Sequence, residues 1–443
     1  MAVTLEVSPS EALFTTRIRI FVSGLEAGQK VVLASSLVDD AGLRWSAQGH
    51  YRADASGRID VAEAPSTAGS YSGIDEAGLF WSMAPEGIED LAKFQLEATD
   101  KPHKHGQPLQ DPLAPRVVQI SVLSGSDTIA EATVALVRLA EGIETIEVRD
   151  GNLRGMAFRW RDRTRTRGAI MSLTGSGGGI ELNYAPLLAS LGYDVFSLAY
   201  FAYEDLPPAI INIPLEYFAE GFEWMKRNFA CDKIAIQGAS RGGELSTLLA
   251  ATFPDYVKGA MPIVPMYACS PGWNPSEGVE GPSWTYRGEE IPYPPSMPGN
   301  TSEEMIEIGQ REPNGYELTP WYRALMEQPE ARANCTIPIE NAGGPILLVS
   351  GVEDAMWPSD WGADMIVDRL RAKGFQHPYR HLALRETGHL TPLPNQITTF
   401  DRAIVHSLAP MRLACGGNPQ GSAKRSRLFW DALVDHYRAV FGH

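Results

Sequence analysis

Two rhythms of apolar and polar positions divide the chain near residue 140. Before it, short runs mix β-branched residues with partial alternation: 17–22 (RIRIFV), 30–37 (KVVLASSL), 43–51 (LRWSAQGHY), 58–62 (RIDVA), 117–123 (VVQISVL) and 129–138 (IAEATVALVR). Ser23-Gly24, Asp40-Ala41-Gly42 and Ala55-Ser56-Gly57 separate them with turn chemistry. Several short strands at this spacing predict an all-β sandwich over 1–140. Residues 101–115 (KPHKHGQPLQDPLAP) read as a polar loop.

From about residue 150 apolar strand-like runs alternate with longer helical patterns. The runs are 168–173 (GAIMSL), 194–199 (DVFSLA), 233–237 (KIAIQ), 258–264 (KGAMPIV), 345–350 (PILLVS) and 379–384 (YRHLAL). Helical spacing occurs near 181–191, 214–229, 240–251, 360–373 and 424–441. This alternation predicts an α/β domain over 141–443, with a mostly parallel, doubly wound sheet covered on both faces. Residues 266–344 break the rhythm and are rich in Pro, Gly, Trp and Tyr. A long irregular insertion of this kind reads as a lid or pocket wall.

Composition narrows the function classes. Of 443 residues, 44% are apolar and 21% charged, which is ordinary for a folded domain. Lys plus Arg is 38 against 54 Asp plus Glu, a net charge of -16, so nucleic acid is not an expected partner. No window approaches 18 consecutive apolar residues, and the start MAVTLEVSPS lacks a basic and then apolar leader, so neither a membrane span nor a signal peptide is expected. Cys231, Cys269, Cys335 and Cys415 are scattered without CxxC pairing. That spacing points to a reducing, cytoplasmic setting without a zinc site or disulfide framework.

The chemistry concentrates where KIAIQ runs into Gly238-Ala239-Ser240-Arg241-Gly242 and a helix follows. A G-x-S-x-G between strand and helix is the pattern of a nucleophile elbow: the serine sits on a sharp turn that small neighbours must permit. The helix N-terminus beyond it favours developing negative charge. Serine needs a base, and in this architecture an acid and then a histidine follow it in the chain. His389, in ETGHL just past the strand YRHLAL, is placed on a loop at a strand's carboxyl end, where such sheets bind ligands. His381 lies inside that strand, and the remaining later histidines lie on or near helices or the terminus. The strand PILLVS ends in Glu353-Asp354; the shorter Asp354 is favoured as the orienting acid and Glu353 is the alternative. Asp360 and Asp364 read as the opening of the next helix. An oxyanion site needs N–H donors. The backbone of Arg241 supplies one, and Ser176 or Gly177 in the loop TGSGGG (174–179) supplies the second. That loop lacks the G-K-[ST] of a phosphate-binding loop.

With these pieces placed, the sequence resembles the acyl-CoA thioesterase and bile acid-CoA:amino acid N-acyltransferase family over nearly its whole length. The resemblance rests on RIRIFVSGLEAGQKVVLASSLVDDAG, HYRADASGRIDVAEAP and GSYSGIDEAGLFWSM, then on TGSGGGIELNYAPLLASLGYDVFSLAYFAYEDLP, IPLEYFAEGFEWM, IQGASRGGELS, WTYRGEEIP and ETGHL. It implies an immunoglobulin-like β-sandwich followed by an α/β-hydrolase domain, with Asp354 and His389 at the acid and base positions. Family members with serine at the nucleophile resemble thioesterases, whereas the N-acyltransferases carry cysteine. Ser240 therefore implies hydrolysis of an acyl thioester, acyl-CoA first, to free acid and thiol, with no cofactor. Two alternatives stay open: a carboxylesterase, lactone hydrolase or acyltransferase of secondary metabolism using the same residues, and a non-catalytic binding protein. The stretch 266–344 departs from the family except around WTYRGEEIP.

Other residues carry blander expectations. Glu244 is expected to form a surface or first-turn pair with Arg241. The row Arg154, Arg159, Arg161, Arg163, Arg165 and Arg167 reads as a solvated hairpin in preference to a CoA-binding basic pocket. Tyr200, Tyr203, Glu204 and Asp205 read as structural. Trp273, Trp284 and Trp357 either line an acyl site or pack under the insertion. His103 and His105 read as loop residues.

Overall fold

The alternation that marks the first third of the chain becomes an inside and an outside in the structure, a computed structural model that describes all residues except 1, 91, 95–110, 230, 275–278, 296, 298, 300 and 407–410. The described residues form two units. The first carries β1 (Thr4–Ser8), β2 (Glu11–Leu13), β3 (Arg19–Ser23), β4 (Lys30–Val38), β5 (Arg44–Arg52), β6 (Ile59–Asp60), β7 (Ala84–Pro85), β8 (Arg116–Ser124) and β9 (Asp127–Val137). They make sheets ordered β1-β3-β6 and β2-β9-β8-β4-β5-β7. Val31, Leu33 and Leu37 of β4, Trp45, Ala47 and Tyr51 of β5, and Val118, Ile120 and Val122 of β8 are buried at every second position or its multiples, as a strand with one face in a core requires. Of the polar stretch 101–115, residues 101–110, with His103 and His105, lie outside the described residues.

The unit is not continuous in sequence. It comprises Met1–Ala140, Pro392–Ile404 and Asn418–Trp430, whereas the periodic pattern assigned all of 141–443 to the second domain. Side-chain bonds to backbone account for the difference. Asn395 Nδ2 donates to the carbonyls of Phe14 and Thr16 at 2.8 and 2.9 Å. Thr399 Oγ1 donates to Met83 O at 2.7 Å, and Arg427 donates to Thr15 O.

One carboxyl in this unit is costly. Asp401 is buried, and its Oδ2 has no hydrogen-bond partner among the described residues; burial pushes its pKa up to about 7. Its folded-state pKa lies above the unfolded value, so the folded protein binds the proton more tightly and stability falls as pH rises from about 4 through about 7. Asp401→Asn is therefore expected to melt higher than wild type at pH 8, with the gain vanishing near pH 4. Scanning calorimetry across that range checks it, and an unchanged difference at every pH would contradict it.

The second unit comprises Glu141–Thr391, Val405–Gly417 and Asp431–His443. Its strands are β10 (Ile143–Asp150), β11 (Leu153–Trp160), β12 (Ala169–Leu173), β13 (Asp194–Ala199), β14 (Ile213–Pro214), β15 (Ile234–Ala239), β16 (Val257–Ile263), β17 (Gly272–Asn274), β18 (Val279–Gly281), β19 (Trp284–Tyr286), β20 (Glu289–Glu290), β21 (Ile346–Gly351) and β22 (Tyr379–Leu384). Eight of them form one sheet, β10-β11-β13-β12-β15-β16-β21-β22. Five of its seven pairings are parallel, and β11 runs against both neighbours, so the sheet is mixed. β12, β13 and β21 are buried along their whole length, because helices cover both faces. Helix Leu215–Phe229 buries Leu215, Phe218, Phe222, Met225 and Phe229, an apolar stripe with steps of three and four.

From β12 the chain turns to β13 on one side and later to β15 on the other. A crevice therefore opens beyond the carboxyl ends of β12 and β15, the switch point where sheets of this type bind ligands. The TGSGGG loop follows β12 and the G-x-S-x-G turn follows β15.

Four of the six arginines in the row have structural partners. Arg154 forks onto Asp205 with both bonds at 2.7 Å, Arg159 pairs with Glu144, Arg163 with buried Asp194, and Arg165 lies 3.6 Å over the Trp160 ring. Nor is the insertion irregular. It holds the β17–β18 ribbon, the β19–β20 hairpin and helices Ser302–Arg311, Thr319–Glu327 and Pro329–Asn334.

Candidate active site

Ser240 stands between β15 and helix Arg241–Thr252 at φ +60° and ψ -122°, a conformation side-chain-bearing residues rarely adopt. Packing holds it there. A β-carbon on Gly238 would come within 2.4 Å of Gly242 O, one on Gly242 within 2.3 Å of Thr174 O, and one on Gly243 within 2.3 Å of Ile263 O. Only glycine fits at these three sites. Ser240 N donates to Ile263 O at 3.0 Å, and its carbonyl accepts from Gly243 N and Glu244 N at 2.8 and 3.0 Å, starting the helix.

The glycine-rich loop lies against this turn. A β-carbon on Gly175 would stand 3.2 Å from Cβ and 3.7 Å from Oγ of Ser240. Tyr200 braces the loop: its hydroxyl donates to Thr174 O at 2.8 Å, and burial raises its pKa, keeping the donor proton in place. Ser176 faces a cavity of about 320 Å³ that Ser240 and Arg241 also line. Gly177 is exposed and does not line it.

Beyond β21 and β22 the structure brings Asp354 and His389 together. The imidazole Nδ1 lies 2.9 Å from Asp354 Oδ2, and both residues are buried. The carboxylate also accepts from Met356 N at 3.0 Å, Trp357 N at 3.2 Å and Ser359 Oγ at 2.7 Å. His389 N donates to Cys415 O at 2.7 Å. Its ring meets Trp357 edge-on at 5.7 Å, and Trp357 lines the cavity beside Ser240. Glu353, the alternative acid, is exposed. Among the described residues no hydrogen bond joins Ser240 to His389; such bonds often tighten only around substrate. His381 is occupied elsewhere, with Nε2 2.7 Å from Ser350 Oγ and Nδ1 3.0 Å from Asp364 Oδ1.

Three features escaped the sequence reading. Glu244 is fully buried, and its pair with Arg241 is internal, not on the surface. Arg241 donates to Glu244 Oε2 at 2.9 Å, to Ser270 O at 3.2 Å and to Ser283 Oγ; Glu244 accepts from Ser270 N and Trp284 Nε1, each at 3.0 Å. This network ties the turn after β15 to the insertion. Trp284 packs inside it, whereas Trp273 and Trp357 line the cavity. His406 also lines the cavity; it directly follows Ala403–Val405, a strand-end signal like that of His389. Met297, Met305, Trp321, Tyr322, Met356 and Met411 make much of the remaining wall apolar.

Residues 15–150 match the family model described as the acyl-CoA thioester hydrolase/BAAT N-terminal region, and residues 213–442 match that of the BAAT/acyl-CoA thioester hydrolase C terminus. The chain belongs to the acyl-CoA thioester hydrolase/BAAT family. Among its relatives, human acyl-coenzyme A thioesterase 1 is 29% identical, the match covering 100% of this chain and 98% of that protein. Human mitochondrial acyl-coenzyme A thioesterase 2 is also 29% identical, over 100% of this chain and 85% of its own. Among solved structures, the α/β hydrolase MGS-M1 from a deep-sea metagenome library aligns with a TM-score of 0.40 at 13% identity, covering 69% of this chain and 100% of its own. In this member of the family the glycine-rich loop falls between the two matched regions, while Ser240, Asp354 and His389 fall within the C-terminal one.

Proposed function

We propose that the protein is a serine-dependent acyl thioester hydrolase, with acyl-CoA as the substrate the family favours. The observation that carries this reading is the buried Asp354–His389 pair at the carboxyl edge of the sheet that presents Ser240 on a strained turn. Asp354 holds the imidazole with Nδ1 protonated, leaving Nε2 to accept the Ser240 proton. Ser240 Oγ adds to the thioester carbon while the N–H groups of Arg241 and Ser176 receive the oxyanion. The C–S bond breaks, and the leaving thiolate takes the proton from His389. Water then attacks the acyl-enzyme, passes a proton to His389, and the acid departs as Ser240 regains its hydrogen. An oxygen-ester acyl-enzyme is less activated than the thioester it came from, and water with a histidine base suffices to cleave it.

The two-sheet N-terminal unit is read as immunoglobulin-like, on its alternating inward positions. Four free cysteines suit a reducing compartment, and the cytoplasm is the proposed location. No helix among the described residues is long and apolar enough to cross a membrane.

Oxygen esters or lactones are the second reading, because insertion residues Trp273, Met297, Met305, Trp321 and Tyr322 supply much of the cavity wall. Matched acyl-CoAs and ethyl esters of the same acids decide between the two. We expect kcat/KM to favour the thioester at every acyl length. It should rise with acyl length until the chain fills the cavity of about 320 Å³ and level off beyond it. Faster turnover of the oxygen esters throughout would sink the thioesterase reading.

A further inference from the structure

Besides the residues already assigned, a hydrogen-bonded polar pair faces the mostly apolar cavity, which Glu280 also lines. His406 Nε2 and Ser176 Oγ lie 3.1 Å apart, and both residues line the cavity with Ser240 and Arg241. Polar groups in such cavities are few and fix the ligand's orientation, so a hydroxyl bonded to an imidazole in this wall calls for a role. Its position suggests one. Ser176 directly follows Gly175, which packs against Ser240 so closely that a β-carbon there would stand 3.7 Å from the nucleophile's oxygen. The backbone on either side is tied down, Thr174 O to the Tyr200 hydroxyl at 2.8 Å and Gly179 N to Phe201 O at 3.1 Å. What remains to be set is the direction of the Ser176 hydroxyl, and His406 sets it.

We propose that the Ser176 hydroxyl donates a hydrogen bond to the acyl carbonyl oxygen as it becomes an oxyanion, and that His406 is the positioning residue that aims it. The inference rests on Ser240 being the nucleophile. As Ser240 Oγ bonds to the carbonyl carbon, the C=O pair moves onto oxygen, and the Ser176 O–H tightens onto that charge without giving up its proton. With hydrogen on Nε2, His406 donates to a lone pair of Ser176 Oγ, which leaves the hydroxyl hydrogen for the ligand. A donor aimed at charge that develops only in the transition state acts on kcat, not on KM.

The test compares Ser176→Ala, His406→Ala, His406→Gln and the Ser176→Ala/His406→Ala double variant with an acyl-CoA substrate, alongside thermal melting and the rate of fluorophosphonate labelling. Ser176→Ala should lower kcat about 100-fold with KM unchanged, and should slow labelling, which develops the same charge on a phosphoryl oxygen. His406→Ala should do likewise, whereas His406→Gln, whose amide can still donate, should keep most of the activity. The double variant should be no worse than Ser176→Ala alone, and melting temperatures should not move. Wild-type kcat in Ser176→Ala, additive losses in the double variant, or His406→Gln falling as far as His406→Ala would each overturn the proposal. Ser240→Ala run in parallel separates the claims. If it is inactive while Ser176→Ala is fully active, only this inference fails; if it keeps its activity, the nucleophile reading fails.

Discussion

Exchange of Asp354 for Asn is expected to cut kcat on an acyl thioester by about 10⁴-fold with little change in KM. The bonds around the carboxylate say why. Oδ1 accepts from two backbone N–H groups, those of Met356 and Trp357, and only an oxygen can stay there. The new amide nitrogen must therefore replace Oδ2, next to His389 Nδ1 and Ser359 Oγ. An N–H then points at Nδ1 from the nearer position, 2.9 Å against 3.1 Å for the retained Oδ1, which favours Nδ1 as the acceptor and the imidazole hydrogen on Nε2. That tautomer cannot take a proton from Ser240. The fold should survive, since the shape of residue 354 is kept. Steady-state kinetics beside a thermal melt check this, and a kcat within tenfold of wild type would mean that Asp354 is only a structural partner.

Replacing Glu244 by Ala is expected to lower folding stability by about 3–5 kcal/mol. The carboxylate is fully buried and answers three donors: the Arg241 guanidinium, Ser270 N and Trp284 Nε1. Without it, Arg241 keeps its charge in a place with little water, and two N–H groups lose their acceptor. The pair itself need not add much net stability. A double replacement of Arg241 and Glu244 by apolar residues of similar volume should recover much of the loss. Urea unfolding of the two variants measures both numbers. A single-variant loss below about 1 kcal/mol would show that the site is wetter than its burial implies.

What could be read from sequence follows from how local each cause is. The turn at Ser240 was legible because its glycines answer contacts set by neighbouring strand and helix backbone. The meeting of Asp354 and His389 was legible because both follow recognisable apolar strands that pair in parallel. The first-turn pair of Glu244 with Arg241 was legible, but its burial was not, because the contacts that cover it come from Ser270 and Trp284, which no local pattern connects to it. The sequence pattern places His406 with the later histidines on or near helices or the terminus, whereas Ala403–Val405 ends one residue before it. The insertion concealed its helices behind Pro and Gly content. Yet the segment Thr301-Ser302-Glu303-Glu304 carries a capping box, with Thr301 N bonded to Glu304 Oε2 at 2.7 Å and Glu304 N to Thr301 Oγ1 at 3.2 Å. The interleaving of the two units was invisible to periodicity, since it depends on side chains such as Asn395 reaching carbonyls nearly four hundred residues away.

Thiol release from an acyl-CoA by the Ser240→Ala variant tests the central claim most directly. Alanine tolerates the turn at φ +60° no worse than serine does, so the variant should melt like wild type. We expect hydrolysis to fall by about 10³-fold or more, with binding of the acyl-CoA retained. A folded variant that still releases thiol at more than a tenth of the wild-type rate would contradict the account.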